Sequence, residues 1–137
     1  MENLVFMPFE GIEIISFKEK RETIRNLLNN THKEYKENEF AENTSDYFQN
    51  LNIFIEYDSD DRCNAIVFEK EAKVYFEGYN LLETSYSKLR KKYDSKSVSK
   101  NEEEEIGITY YDLGFGFNKV FGKDEIQTLI IFSKDYW

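Results

Sequence analysis

The sequence predicts an α+β fold: one domain, residues 1–137, in which a mainly antiparallel, twisted sheet of five to six strands carries two helices packed on one side. Three observations support this prediction. A length of 137 residues is typical of a single domain. The hydrophobic content of 40% and the aromatic content of 17% are sufficient for a core without disulfide bonds or metals. Segments with the alternation of strands outnumber those with the helical period, and their short connections favour antiparallel pairing.

The first predicted elements are a short strand or an extended lead-in over residues 12–17 and a helix that follows it. Ser16 and Glu19 have the spacing of a capping box, which predicts the start of the helix. Apolar residues then recur three and four positions apart, and the helix is expected to end near Asn30. Residues 32–50 are rich in Glu, Lys and Asn, so we expect a loop there, with room for helical turns.

A β-hairpin is predicted next. Residues 51–57 and 65–68 alternate or run apolar as strands do, and the acidic residues between them, at 58–61, are typical of a turn. A third strand, residues 73–77, follows so closely that an antiparallel meander is the expected topology, because parallel pairing needs a crossover of about a dozen residues or more.

The second helix is predicted from Asn80 and Glu83, which have the spacing of a cap and its third helical residue. Its apolar stripe contains Leu82, Tyr86, Leu89 and Tyr93. Residues 94–105 are almost entirely polar, which predicts an exposed and mobile linker. Residues 106–111, 114–117 and 126–132 indicate two or three further strands. The predicted order is therefore β-α-β-β-β-α-β-β-β.

The net charge of −9 is unevenly distributed along the chain. Residues 1–60 contain 13 acidic and 6 basic residues, residues 61–100 contain 6 and 9, and residues 101–137 contain 8 and 3. Such a balance disfavours binding to nucleic-acid phosphates and favours a basic partner. Two acidic blocks stand out: Asp58, Asp60 and Asp61, and Glu102, Glu103, Glu104 and Glu105. They are interpreted either as solvated loops that aid solubility or as contacts for a basic protein surface.

Aromatic residues are in excess. The chain contains 12 Phe and 10 Tyr, more than a core of this size buries, so we expect some tyrosines at an interface. The candidates are Tyr110, Tyr111, Tyr136 and Trp137. Packing in the core or at a sheet edge is the commoner explanation for any single one of them, and residues 135–137 could simply cover the edge of the sheet.

The residues that catalysis and metal binding commonly use are scarce, since the sequence contains one His and one Cys. Cys63 is expected to be a structural thiol, and His32 to cap the first helix or face water. The acidic turn at 58–61 lacks the glycine and the bidentate glutamate of a calcium loop. Residues 114–116 lack the following helix of a dinucleotide motif and predict a strand bent by glycines. We therefore expect no catalytic residues, no metal and no cofactor.

The N-terminal segment has no basic region before its short apolar run, and no apolar stretch approaches the length that crosses a bilayer. The sequence thus predicts no signal peptide, no membrane association and a cytoplasmic location.

Six short segments stand in a familiar order: GIEIISF at 11–17, IFIEYD at 53–58, AIVFE at 65–69, VYFEGYNLL at 74–82, GFGF at 114–117 and LIIFS at 129–133. Over most of its length the chain thereby resembles the immunity proteins of bacterial contact-dependent growth inhibition and related polymorphic toxin systems. The motifs are strands and turns, so they indicate fold and lineage rather than an activity.

The resemblance implies a protein that is not an enzyme and that binds a cognate toxin domain, often a basic nuclease. It would neutralise the toxin by covering the active site or the substrate surface, and it would be a monomer when free. Contacts with the toxin are then assigned to the two acidic blocks, with Tyr110 and Tyr111 as anchors.

Two other functions remain open. One is a small ligand-binding or hydrolytic domain with a pocket between helix and sheet, lined by Tyr, Phe and one or two carboxylates. The other is an oligomer whose exposed aromatics form a self-interface. A deep pocket with convergent carboxylates would favour the first, whereas a flat, acidic and aromatic surface would favour the toxin inhibitor.

Overall fold

The strands of the computed structural model, which describes residues 4–137, form two sheets. In chain order the strands are β1 (Leu4–Met7), β2 (Gly11–Ile12), β3 (Ile15–Ser16), β4 (His32–Tyr35), β5 (Ser45–Phe48), β6 (Ile53–Tyr57), β7 (Cys63–Glu69), β8 (Val74–Phe76), β9 (Tyr79–Asn80), β10 (Lys100–Glu103), β11 (Gly107–Tyr110), β12 (Phe115–Lys119) and β13 (Ile126–Phe132). The helices are α1 (Arg21–Leu27) and α2 (Tyr86–Asp94), and a single 3₁₀ turn covers Leu81–Glu83.

The larger sheet has eight strands in the order β10-β11-β12-β13-β7-β6-β5-β4, and every pair in it is antiparallel. Its centre is the most apolar part of the chain. Ile66 of β7 lies between Ile55 of β6 and Ile131 of β13, and all three side chains are fully buried. Because side chains alternate along a strand, this register defines one face of the sheet as the core face.

The smaller sheet has five strands in the order β3-β2-β1-β8-β9, and it packs on that core face. Phe6 of β1 lies 5.6 Å from the ring of Phe115 in β12, and Phe76 of β8 lies 6.2 Å from the same ring. The β1–β8 pair is parallel, and the other pairs of this sheet are antiparallel.

Both helices also pack on the core face, as predicted. From α1, Arg21 reaches the fully buried Asp46 of β5, and Ile24 enters the core. From α2, the Tyr93 ring meets Phe115 at 5.0 Å and Tyr110 at 6.3 Å. The α+β class, the two helices on one side and the mainly antiparallel pairing are therefore confirmed, but the strands form sheets of five and eight rather than one sheet of five or six.

The start predicted for the first helix was wrong. Ser16 lies in β3, where it pairs with Gly11, and the backbone at Lys18 turns into the left-handed region with φ of 77°. The helix begins at Arg21 after Lys20, so no capping box forms. The second helix is capped by Ser85, whose side chain accepts the Lys88 N–H at 3.2 Å, while Asn80 precedes only the 3₁₀ turn.

Two segments predicted as irregular are strands. Residues 32–50 contain β4 and β5, and residues 94–105 contain β10, which pairs with β11. All four residues of β10 are exposed, and β4 and β10 are the outer strands of the large sheet. Polar, charged sequences are how natural sheets protect their edges, so hydrophobic alternation does not reveal such strands.

The third strand of the expected meander belongs to the other sheet. The strand β7 has β6 on one side and β13 on the other, so it has no free edge for β8. Instead β8 pairs in parallel with β1, with Leu4 opposite Val74. The hairpin formed by β6 and β7, by contrast, is confirmed together with its turn at 58–61.

Candidate functional site

The face of the large sheet opposite the core carries apolar side chains that neither the helices nor the smaller sheet covers. We call it the open face. One row crosses it in register from β5 to β13, comprising Tyr47, Phe54, Val67 and Ile130. All four side chains are half-buried. Antiparallel sheets usually present polar residues to water on such a face, so this aromatic and aliphatic row is the feature that needs explanation.

Three rings form an aromatic cluster at one end of the row. Tyr47 and Phe54 are cross-strand partners with ring centroids 4.5 Å apart, and Tyr35 of β4 lies 6.3 Å from the first and 6.0 Å from the second. Tyr35 is 47% exposed. Burial, followed by the hydrogen bond to Glu69 and the charge of that residue, raises the pKa of Tyr47, so its phenol is neutral.

Beside the cluster lies an open groove of about 380 Å³. It is lined by Tyr35, Lys36, Glu37, Ser45, Phe54, Glu56 and Val67. We call it the open-face groove. Its walls are aromatic and aliphatic, whereas its polar groups include two carboxylates, Glu37 and Glu56. This combination can accept a cation that also has apolar surface.

Glu56 is the least solvated charge of the groove. The Tyr136 hydroxyl donates a hydrogen bond of 2.6 Å to its Oε1, and no hydrogen bond within residues 4–137 reaches its Oε2. Burial raises the pKa of the Glu56 carboxyl; the Tyr136 hydrogen bond opposes this shift, and the negative charge of Glu37 adds to it. Neither carboxylate forms an ion pair within the described part of the chain.

A Glu56→Gln variant should be more stable than the wild type at neutral pH, because it removes a charge that folding desolvates. Since folding raises the pKa of Glu56, the folded wild type binds protons more tightly than the unfolded chain, and stability falls as the pH rises through this interval. The advantage of the variant should therefore vanish in acid, below an ordinary glutamate pKa of about 4.3. Urea denaturation at a series of pH values measures it.

Glu103→Gln is the matched control, because the exposed Glu103 side chain forms no hydrogen bond with residues 4–137. It should change stability little at any pH. If Glu56→Gln were instead less stable than the wild type at neutral pH, the Tyr136 hydrogen bond would outweigh the cost of burying the charge.

The first acidic block is largely occupied by contacts within the chain. Asp58 Oδ1 accepts the backbone N–H groups of Asp60 and Arg62 at 2.9 and 3.1 Å, which closes the turn. Asp61 pairs with Arg21 of α1 at 2.8 Å. The exposed Asp60 side chain has no ion pair or hydrogen bond within residues 4–137. Structural roles therefore account for two of these three carboxylates.

The second acidic block, residues 102–105, also contains carboxylates that pair with basic residues of the same chain. Glu102 pairs with Arg90 of α2 at 2.9 Å, and Glu105 approaches Lys119 at 3.4 Å. Glu103 and Glu104 are exposed and make no ion pair with residues 4–137. The Glu102–Arg90 ion pair connects the edge strand β10 to α2.

The two acidic blocks lie at opposite corners of the large sheet. Asp61 lies just before the start of β7. Glu103 belongs to a row of cross-strand partners that runs through β11, β12 and β13 and ends at Glu69, at the other end of β7. By the usual strand dimensions the blocks are separated by about 20 Å along the strands and about 19 Å across them. They do not form one patch.

The expectation that Tyr110 is an exposed anchor was wrong. Its side chain is 0% exposed, because it points to the core face and packs under α2. Its hydroxyl donates to Asp94 at 2.5 Å. Tyr111 is half-buried, with its ring 5.3 Å from that of Trp137 and perpendicular to it. The structure thus leaves Tyr111 within reach of a partner and removes Tyr110.

The C-terminal residues cover one end of the open face. The rings of Tyr136 and Trp137 lie 5.9 and 5.6 Å from Phe132, which is buried beneath them. Because Tyr136 also binds Glu56, this segment connects the aromatic end of the chain to the open-face groove. Sequence reasoning missed the groove, although Phe54 and Glu56, which alternate with buried Ile53 and Ile55, gave the signal.

A second pocket, of about 210 Å³, lies between α2, β8 and the large sheet. Its lining includes Phe9, Phe76, Tyr93, Glu77 and Asp112. Both carboxylates are engaged: Glu77 accepts from the Tyr93 hydroxyl at 3.0 Å, and Asp112 accepts from Ser97 and from a backbone N–H. The pocket therefore offers aromatic surface but no free pair of carboxylates.

The two remaining candidate residues from the sequence, Cys63 and His32, have structural rather than reactive environments. Cys63 is buried, and burial raises the pKa of its thiol to about 12, so the thiol stays protonated. His32 is half-buried at the start of β4 rather than at a helix end, and its Nδ1 has no hydrogen-bond partner within residues 4–137. In the same part of the chain, no group of three His, Cys, Asp or Glu side chains is placed to hold a metal ion.

The basic helix presents a separate surface on the core side of the sheet. Lys88 and Lys92 of α2 lie 5.1 and 4.1 Å from the ring centroid of Tyr79, and Lys96 lies 5.6 Å from that of Tyr93. None of these lysines, nor Lys91, forms an ion pair within residues 4–137. The molecule therefore separates a cationic surface on α2 from the acidic and aromatic open face.

No family model matches the chain, and no curated protein or solved structure matches it significantly. The resemblance to immunity proteins thus remains a prediction from the residues. Neither helix in residues 4–137 has the length and hydropathy of a membrane-spanning segment.

Proposed function

We propose that this protein is an immunity protein that binds and neutralises a basic toxin domain. The open face would cover the active site or the substrate surface of the toxin. The observation that carries the proposal is the row of half-buried aromatic and aliphatic side chains on this face, bordered by carboxylates and covered by neither helix.

The size of the open face suits a protein partner. It extends from Tyr35 on β4 to the C-terminal aromatics near β11, which is six strand intervals, or about 29 Å at the usual spacing. A standard protein–protein interface buries about 800 Å² of surface on each partner, and a compact patch of that area is about as wide as the open face. Tyr, Phe and Trp are enriched in the desolvated centre of such interfaces, and this surface presents all three.

Charge supports a basic partner. The chain carries a net charge of −9, and the open face contains Glu37 and Glu56 in its groove and Glu69 beside Tyr47. Complementary charge accelerates association and excludes acidic competitors. A basic nuclease domain would fit this surface, since its substrate-binding side must itself attract a polyanion.

The test is co-expression with the product of the neighbouring upstream gene. Cells that produce this gene product alone should stop growing, and cells that also produce the present chain should survive. The two proteins should co-purify in a complex that high salt weakens. Growth arrest that the present chain fails to relieve, together with no complex on gel filtration, would refute the proposal.

A small-molecule site between helix and sheet would use the pocket between α2 and the large sheet. That pocket is smaller than the roughly 300–1,000 Å³ of most ligand sites. Its two carboxylates already accept hydrogen bonds from within the chain. The flat, acidic and aromatic face therefore supports the toxin inhibitor better.

A further inference from the structure

We infer that the open-face groove is a receptor for one arginine side chain of the protein partner, with Glu56 and Glu37 binding the guanidinium beside the rings of Tyr35 and Phe54. The inference deepens the proposed function and rests on it for the identity of the partner, but the groove itself can be tested alone.

The carboxylates supply the charge. Glu56 presents an Oε2 that accepts no hydrogen bond within residues 4–137, while its Oε1 is held by the Tyr136 hydroxyl. Tyr136 thereby fixes the carboxylate before any ligand arrives. Glu37 lines the same groove, and its negative charge adds to the rise in the pKa of Glu56 that burial causes. Two neighbouring carboxylates that form no ion pair within residues 4–137 are stabilised by a cation from outside.

The rings select the kind of cation. The Tyr35 and Phe54 rings are in edge-to-face contact, with centroids 6.0 Å apart, and both line the groove, where a cation can pack against them from one side. A guanidinium is planar, stacks on aromatic faces and donates two parallel hydrogen bonds to a carboxylate. An ammonium group is more strongly hydrated and lacks this fork, so lysine should bind more weakly.

No basic side chain of residues 4–137 forms an ion pair with the carboxylates of the groove. Lys36 lines the groove but forms no ion pair with any carboxylate of residues 4–137. The arginines whose side chains form ion pairs, namely Arg21, Arg25 and Arg90, have their carboxylate partners on the core side of the sheet. Among residues 4–137, no guanidinium lines the groove to complement Glu56.

The test is a titration of the isotope-labelled protein with arginine blocked at both ends, followed by NMR at neutral pH. Blocked lysine and blocked citrulline serve as matched ligands, because citrulline keeps the shape of arginine without its charge. Arginine should shift the amide signals of residues 35–37 and 54–56 in a saturable manner with a millimolar dissociation constant. Lysine should bind several-fold more weakly, and citrulline should not saturate.

The Glu56→Gln variant should lose at least tenfold in affinity for blocked arginine, whereas Glu103→Gln, which changes an exposed carboxylate of β10, should bind as the wild type does. Equal shifts with arginine and citrulline would overturn the inference. Arginine shifts confined to the acidic blocks at 58–61 and 102–105 would overturn it as well.

The two proposals fail separately. If the toxin complex forms and protects cells while blocked arginine leaves the groove signals unchanged, the arginine receptor is wrong and the immunity function stands. If blocked arginine binds the groove while co-expression gives neither protection nor a complex, the immunity function is wrong and the receptor stands.

Discussion

Replacement of Asp46 by asparagine should destabilise the protein by about 3 kcal/mol, near the lower end of the range for breaking a buried ion pair. Asp46 is 0% exposed and accepts four hydrogen bonds. Arg25 donates two of them at 2.7 Å, Tyr57 donates one at 2.9 Å and Arg21 donates one at 3.4 Å. The carboxylate therefore connects α1 to the large sheet at a point closed to solvent.

The charge of Asp46 is favourable only because of these donors. Burial would raise the pKa of its carboxyl, but the hydrogen bonds from Arg25 and Tyr57 and the charges of both arginines outweigh burial and lower it. An asparagine cannot compensate either guanidinium, and Arg21 is itself buried, with its guanidinium 4.0 Å from the Tyr57 ring centroid. The expected loss of stability stays near 3 kcal/mol because, in the variant, Arg21 still pairs with Asp61 and Arg25 still pairs with Glu34.

Asp61→Asn is the matched control, since it removes the exposed partner of the same arginine. The Asp61 side chain is 55% exposed, and an exposed pair contributes about 0–1 kcal/mol. Urea denaturation near neutral pH compares the two variants with the wild type. Equal losses for both would show that the buried carboxylate has no special role, and no loss for Asp46→Asn would contradict the argument outright.

The centre of the fold was predictable because its strands are apolar where they pack. β6, β7 and β13 show alternation or continuous apolar runs, and all three form where the pattern indicates. β4 and β10 were not predictable in this way, because an edge strand gains backbone hydrogen bonds from one neighbour whatever its side chains are. The sequences His32–Tyr35 and Lys100–Glu103 show no hydrophobic pattern that would reveal these backbone hydrogen bonds.

Pairing between distant segments was also beyond local patterns. The alternation of residues 74–76 indicates a strand but not its partner, and the partner β1 lies about seventy residues earlier in the chain. The same limit applies to charge. The acidic blocks looked free in the sequence, but Arg21 and Arg90 compensate Asp61 and Glu102.

Which aromatic residues are exposed depends on which face the helices cover. Tyr110 and Phe54 both lie in alternating strands of the large sheet, and nothing in their local sequences distinguishes them. α2 packs on the face that contains Tyr110, so that ring is buried, whereas Phe54 points to the opposite face. The candidate site could therefore be located only once the packing of the helices was known.

Replacement of Phe54 by alanine should weaken binding of the toxin domain by at least roughly 30-fold, which corresponds to about 2 kcal/mol, the threshold for a dominant interface residue. Phe54 packs against Tyr47 at 4.5 Å and Tyr35 at 6.0 Å and forms one wall of the open-face groove. Its removal would take away apolar contact area and loosen both neighbouring rings, while the half-buried position keeps the loss of folding stability below that of a core phenylalanine.

Phe121→Ala provides the matched control, because it deletes the same ring from a site that is 85% exposed in the turn between β12 and β13. Isothermal titration calorimetry against the purified toxin domain gives both affinities, and thermal unfolding confirms that each variant is folded. We expect Phe121→Ala to bind as the wild type does, since Phe121 lies in a turn beyond the ends of the strands that form the open face. Comparable losses for the two variants, or an unchanged affinity for Phe54→Ala, would show that the toxin binds another surface. The cationic surface of α2 would then be the first to test, because its lysines form no ion pair with residues 4–137.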